Sequence, residues 1–364
     1  MHVALNLVYL VPGETGGMET YARELIPRLA GHVRLTALVN REAEHEDFGC
    51  ERIVVPVNAR SRIQWVRGEQ QHVPRLAKRL NADLIHSLAS TAPLHSAMPR
   101  VTTIHDLNYR LVPEAHARVL ALGMGALVPA AARRSRRIIT DAESTRRDLQ
   151  EHLRIAPEKV DVIALGVNPV PPVAPTPEAE LRASLDLGDR PVLLSVSGKK
   201  PSKNLLRLID AVAGIPAERR PVLVVPGYPT PHEAELRARA AATGVDAVWP
   251  PWLAAADLEG LYALADGFAF PSLYEGFGLP VLEAMARGVP VATSHRGSLA
   301  EVAGDAAITF DPEDVPAMRA AIERLPHEAD RLRAAGRTQA ARFTWERTAE
   351  LTAAAYERAL AGSG

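Results

Sequence analysis

Residues 270–286 read Phe270-Pro271-Ser272-Leu273-Tyr274-Glu275-Gly276-Phe277-Gly278-Leu279-Pro280-Val281-Leu282-Glu283-Ala284-Met285-Ala286, a strand end, a glycine-rich turn and a helix start in one run. Gly276 and Gly278 carry no Cβ, so the backbone around Phe277 can approach a ligand closely. Pro280 suits the first helical position, where its missing N–H costs nothing, and Gly288 suits the C-terminal cap. The backbone N–H groups of Phe277, Gly278 and Leu279 are then expected to point out of a helix N-terminus, where they can bind an anion or hydroxyl groups. Glu275 and Glu283 flank that donor array, Glu283 expected in the first turn of the helix. A carboxylate can accept hydrogen bonds from two hydroxyls at once, so the pair suits a polyhydroxy ligand. Glu283 also reads as an ordinary acid at a helix start. Glu275, set among apolar residues and glycines, is harder to explain as a surface acid.

Outward from this run, short β-branched stretches alternate with amphipathic ones. The expected strands of the first half are Val3–Leu7, Arg34–Val39, Ile53–Val57, Ala82–His86, Val101–Ile104, Arg137–Thr140 and Lys159–Ala164. Helical patterns lie between several of them, at Glu19–Leu29, Gln71–Leu80, His116–Arg134 and Thr145–His152. This alternation predicts βαβ units and a mostly parallel sheet. Asn168–Pro177 holds five prolines in ten residues, which favours an extended, semi-rigid connector. The expected division is an N-terminal unit 1–168, a linker 169–178, a second unit 179–343 and a C-terminal helix 344–364.

Beyond the linker the alternation restarts. Strands are expected at Val192–Val196, Val222–Val225, Ala247–Trp249, Phe268–Phe270, Val289–Thr293 and Ala307–Phe310. Helices are expected at Leu205–Val212, His232–Ala242, Ala256–Ala265, Pro280–Arg287, Pro316–Leu325 and Thr344–Leu360. In two such halves, ligands bind beyond the carboxyl ends of the strands, and the default site is the cleft between them.

The chain of 364 residues is 47% hydrophobic and 23% charged with a net charge of −1. No whole-chain field therefore recruits nucleic acid. Cys50 is the single cysteine, so no intramolecular disulfide and no zinc–thiolate cluster can form. The start Met1-His2-Val3-Ala4-Leu5-Asn6 has no basic segment before an apolar one and does not read as a signal peptide. Val119–Ala132 is the longest weakly polar stretch, too short for a membrane span of about 20 residues. A cytoplasmic protein is expected, at most peripheral at the inner membrane face.

Three further segments carry chemistry. Pro12–Tyr21 places Gly16-Gly17 after the first strand, where a helix N-terminus can hold a phosphate or offer donors; a tight strand-to-helix turn is the plainer reading. Ser195–Asn204 places Lys199, Lys200 and Lys203 at a helix start. Cations there oppose the helix dipole, and phosphate oxygens would reverse that penalty. His105, in Thr103–Asn108, ends a strand and faces the expected cleft, unless the backbone or Asp106 satisfies it. Arg133, Arg134, Arg136 and Arg137 complement a helix C-terminus, with contact to anionic lipid or a phosphorylated acceptor as the sharper reading. The full G-x-G-x-x-G fingerprint, a Walker A loop, H-E-x-x-H, D-x-D, paired C-x-x-C and G-x-S-x-G are all absent, so no metal site is readable.

Together these residues resemble the retaining glycosyltransferases of family four, of GT-B architecture with two Rossmann-like doubly wound domains. Glu275 and Glu283 match that family's E-x7-E motif. Gly16-Gly17 matches its N-terminal glycine loop and Lys203-Asn204 its phosphate lysine. His105-Asp106-Leu107, Leu165-Gly166-Val167 and Glu301–Ala307 match its mannosyltransferase-like members. The family's second diphosphate cation, an arginine, is absent; the turn reads Gly198-Lys199-Lys200.

The resemblance implies that Glu283 binds nucleotide ribose hydroxyls and that Glu275 lies by the transferred sugar. Phe277, Gly278 and Leu279 would offer N–H groups to the sugar, Lys203 would neutralise the diphosphate, and His105 would contact the sugar. It implies a nucleotide-diphosphate sugar as substrate, GDP-mannose ahead of UDP- or dTDP-sugars, and no cofactor. The acceptor would be a hydroxyl on a glycan, a lipid-linked glycan or a small metabolite. No dedicated general base is expected, because the leaving phosphate would take the acceptor's proton. The C-terminal helix is expected to return to the first domain. Base contacts are expected around Trp249–Leu253. The rival readings are a GT-B nucleotide-sugar epimerase and a nucleotide-sugar-binding protein without turnover.

Overall fold

The sequence alternation becomes thirteen strands in two wholly parallel sheets in the computed structural model, which describes residues 1–112, 118–251 and 253–361. His116 and Trp252, parts of an expected helix and of the expected base-contact segment, lie outside the described residues.

The first sheet contains β1 (His2–Leu7), β2 (Arg34–Val39), β3 (Glu51–Val54), β4 (Leu84–Ser87), β5 (Arg100–Thr103), β6 (Arg137–Thr140) and β7 (Val160–Val162). Its order is β3-β2-β1-β4-β5-β6-β7. All six residues of β1 are buried, as expected of a parallel strand covered on both faces. The second sheet contains β8 (Val192–Leu194), β9 (Val222–Val224), β10 (Ala247–Val248), β11 (Gly267–Phe270), β12 (Val291–Ser294) and β13 (Ile308–Phe310). Its order is β10-β9-β8-β11-β12-β13. In each sheet the order reverses once, between β1 and β4 and between β8 and β11. Ligands of doubly wound sheets bind at such reversals, outside the carboxyl ends of the strands.

The chain divides into two units, Met1–Gly166 with Thr344–Gly364, and Val167–Phe343. The last helix, Trp345–Ala361, belongs to the first. There Tyr356 hydroxyl meets His86 Nδ1 at 2.7 Å and Thr348 Oγ1 donates to the Ala164 carbonyl. The proline-rich segment is bound to the second unit: Thr176 N–H donates to the Ala256 carbonyl, and Arg287 donates to that of Asn168.

Three described helices of the second unit have no counterpart in the sequence reading, the short Leu299–Ala303 among them. Glu178–Ser184 follows the prolines directly. Ala329–Ala340 buries only Leu332, Gly336 and Ala340, at i, i+4 and i+8. A stripe made of one leucine and two small residues hides its period. In the first unit, the helix expected at Gln71–Leu80 is Val73–Arg79, preceded by a π-helical turn at Gly68–His72 and by a further helix, Arg62–Arg67, with no counterpart in the sequence. No described helix is long and apolar enough to cross a membrane.

Candidate functional site

The reversal of the second sheet sets two segments side by side. β8 leads through Ser195–Lys200 to a 3-10 turn, Pro201–Lys203, and then to the helix Leu205–Ala213. β11 leads through Pro271–Gly278 to the helix Leu279–Ala286. Asn204 ties them together: its side-chain amide donates to the carbonyls of Pro271 at 3.1 Å and Pro312 at 2.7 Å. Its φ of 57° lies in the left-handed region that asparagine tolerates. The Leu273 N–H closes the contact onto the Ser202 carbonyl.

This staple brings Lys203 Nζ to 2.5 Å from Glu275 Oε1. The amine also lies 5.4 Å from the centre of the Phe270 ring. Beside the pair, the N–H groups of Phe277, Gly278 and Leu279 find no acceptor among the described residues, although all three residues are buried. Unpaired N–H groups at a helix start mark a place for a ligand's acceptor atoms. The hydroxyls of Ser195, Ser197 and Ser272, on the same two segments, are likewise buried without a partner.

The turn that carries Glu275 is held from behind by Ser298, which the sequence reading did not single out. Ser298 Oγ lies 2.9 Å from the Glu275 carbonyl oxygen and 2.8 Å from that of Phe277, sharing its one proton between them. Gly278 caps the helix at φ 103°, and a Cβ there would come within 2.5 Å of Leu299 Cδ2. A Ser-Leu pair before a helix is too common a pattern to announce this role. Gly276 is buried beside Phe277 and completes the turn.

Glu283 is the fifth residue of Leu279–Ala286, so it sits in the second helical turn rather than the first, because the helix starts at Leu279 and places Pro280 second. Its Oε2 accepts from the Tyr262 hydroxyl at 3.0 Å. Burial, reinforced by Glu283, pushes the Tyr262 phenol well above its usual range.

Lys199 and Lys200 part company. Lys199 is fully buried, and its amine donates to the carbonyls of Gly227 and Pro250 at 2.8 and 3.0 Å, with Glu233 Oε2 at 3.4 Å. Burial lowers its pKa and Glu233 offsets part of that. Lys200 is exposed. Among the described residues no group of three His, Cys, Asp or Glu side chains is placed to hold a metal ion.

The first unit carries the other sequence-selected residues. Gly16 caps the helix Gly17–Leu29 at φ 62°, and Glu19 in its first turn accepts from the Gly13 N–H. Tyr21 of that helix packs edge-on against His105, ring centres 5.1 Å apart. Both imidazole nitrogens of His105 are engaged. Nε2 donates to the Leu88 carbonyl at 2.9 Å and Nδ1 meets Asp141 Oδ2 at 2.7 Å. Burial opposes the charge, but the Asp141 carboxylate and the Leu88 carbonyl outweigh it and raise the pKa above the ordinary histidine value. Asp106 instead accepts from the Asn108 N–H. Asp141 stands just past β6, and only its position at a strand's carboxyl end could have signalled it.

Residues 15–170 match the family model described as Glycosyltransferase Family 4, and residues 177–342 match glycosyl transferases group 1. Over 272 residues the chain is 31% identical to O-antigen chain mannosyltransferase B of Escherichia coli, covering 72% of this chain and 71% of that protein. Over 238 residues it is 32% identical to MMP alpha-(1->4)-mannosyltransferase of Mycolicibacterium hassiacum, covering 63% of this chain and 56% of that one. In fold it is similar to sucrose-phosphate synthase from Thermosynechococcus elongatus, with a TM-score of 0.81 at 21% identity over the whole of both chains. It is also similar to Anabaena HepE in complex with UDP and glucose, with a TM-score of 0.77 at 19% identity over 98% of this chain and 99% of that one.

Proposed function

Because the chain belongs to the family-four glycosyltransferases, we propose that it moves mannose from GDP-mannose to a hydroxyl acceptor, with retention at the anomeric carbon and without a metal ion. The observation that carries this reading is the Lys203–Glu275 pair beside the unpaired N–H groups of Phe277, Gly278 and Leu279, at the reversal of the second sheet. The names of the two mannosyltransferase relatives favour mannose over the glucose or galactose of UDP- or dTDP-sugars.

The donor's diphosphate takes Lys203 from Glu275, and the released carboxylate accepts hydrogen bonds from the sugar hydroxyls. Lys200, the exposed member of its pair, adds a second positive charge. Glu283 accepts from the ribose. The anomeric C–O bond breaks with its electron pair going to the diphosphate oxygen. The acceptor oxygen bonds to the anomeric carbon on the same face, and its proton passes to the departing phosphate. Lys203 and the helix N-terminus stabilise the negative charge that develops there, a contribution that is often the largest in such reactions. The chain has no D-x-D pair to bring a cation to the diphosphate. His105, whose pKa the Asp141 carboxylate and the Leu88 carbonyl raise, is the first unit's candidate for a contact with the sugar. The setting is the cytoplasm.

Thermal unfolding with GDP-mannose, UDP-glucose and dTDP-glucose tests the donor. A ligand at 100 times its dissociation constant stabilises by about 2.7 kcal/mol, and GDP-mannose should give the largest shift. GDP release should then require an added hydroxyl acceptor such as methyl α-mannoside and should survive EDTA. No shift with any of the three donors defeats the reading.

A further inference from the structure

At the amino ends of β5, β6 and β7, Arg100, Arg133, Arg134, Arg136 and Lys159 surround an open basin of about 690 Å³. His105 and Asp141 stand at the opposite ends of these strands, about 13 Å away along a four-residue strand. No Asp or Glu lines the basin, and none of the five cations is paired with a carboxylate among the described residues. Arg137, their neighbour in sequence, turns away to Asp161 at 2.6 Å.

Capping of the preceding helix explains part of the cluster. Arg100 Nη2 donates to the Arg134 carbonyl at 2.7 Å, and Lys159 Nζ to that of Arg133 at 2.8 Å. A helix C-terminus carries only about half a negative charge, which leaves most of the positive charge uncompensated. The consequence shows in the side chains: burial and then Arg134 lower the pKa of Arg100, and burial and then Arg100 lower that of Lys159. Arg100 Nε is buried with no acceptor although the side chain as a whole is half-buried, an unmet donor beside the basin.

We propose that this basin binds a phosphate-bearing anion, at a site separate from that of the nucleotide sugar. Several anionic oxygens on one ligand would relieve the repulsion among the cations and engage guanidinium groups two bonds at a time. The basin is larger than one inorganic phosphate fills, so the ligand is a diphosphate or a lipid phosphate headgroup.

Pyrophosphate titration by calorimetry on the wild type, Lys203→Gln and the double variant Arg133→Gln/Arg136→Gln tests the site. Arg133 and Arg136 are exposed, so their replacement keeps the fold. Flotation with phosphatidylglycerol and phosphatidylcholine vesicles separates the two sources. We expect Lys203→Gln to keep a binding event that the double variant weakens at least about tenfold. Retention on phosphatidylglycerol alone, lost in the double variant, also supports the site and assigns it to a headgroup. Pyrophosphate binding that the double variant leaves unchanged, or silence with both pyrophosphate and vesicles, overturns it.

Discussion

Lys203 Nζ and Glu275 Oε1 lie 2.5 Å apart, a cation delivered by β8 and a carboxylate delivered by β11, paired at the reversal of the second sheet. The side chains are 22% and 13% exposed. In this setting, taking away one partner leaves the other partly desolvated and alone.

Lys203→Gln and Glu275→Gln should therefore each cost about 1–3 kcal/mol of stability, and the double variant less than their sum. Each single variant should lose at least about a hundredfold in transfer rate, the scale of removing one charge-stabilising group, while its circular dichroism stays native. Near-normal turnover in both would remove these residues from the site.

Ser298→Ala takes away the hydroxyl shared by the carbonyls of Glu275 and Phe277. The Phe277 carbonyl then loses its donor while the Glu275 carbonyl keeps the Ser298 N–H at 3.3 Å, a cost of about 1–2 kcal/mol. Since Ser298 acts through the Glu275 turn, kcat should fall more than KM rises. A urea midpoint and a kcat both equal to wild type would exclude this positioning role.

Gly278→Ala meets two obstacles at once, a φ of 103° and a Cβ 2.5 Å from Leu299 Cδ2. The turn must shift, and the N–H array with it, at about 1–3 kcal/mol. Donor affinity, read as KM for GDP-mannose, should worsen together with stability. Unchanged thermal unfolding would mean that the turn absorbs the methyl group freely.

Glu69 sits on the π-helical turn Gly68–His72 in the first unit, fully buried. Asn6 Nδ2, Thr91 Oγ1 and Gln70 Nε2 donate to it at 3.1, 2.8 and 3.0 Å. Burial outweighs those donors and pushes its carboxyl up from 4.5 to about 7. The folded state thus holds the proton more tightly than the unfolded chain. Its stabilising effect is full below pH 4.5, declines as pH rises through 7, and amounts to at most about 3 kcal/mol. Glu69→Gln should flatten the dependence of unfolding free energy between pH 5 and pH 8, measured by urea denaturation. A slope identical to wild type would show that Glu69 does not titrate in this range.

Much of the architecture is written locally. The runs around Val3–Leu7 and Arg34–Val39 are strands because β-branched and apolar residues there can be buried on both faces. The glycines around Phe277 and the proline at 280 place a turn and a helix where the structure has them. Ala329–Ala340 escaped because burial of Gly336 against Met285 needs no large apolar residue, and hydrophobic periodicity is blind to such packing.

Local pattern suffices for the class of the fold, two parallel α/β units, and for the residue types gathered at the glycine-rich turn. These depend on neighbours within a few positions. Tertiary structure alone decided which residues meet. Lys203 and Glu275 are brought together by strand order across 72 positions. His105 finds Asp141, not the adjacent Asp106, because β5 and β6 are neighbours. Lys199 is buried and Lys200 exposed because carbonyls at Gly227 and Pro250, 28 and 51 positions away, capture one amine. A side chain's partner is set by the packing of distant segments, and no local pattern encodes it.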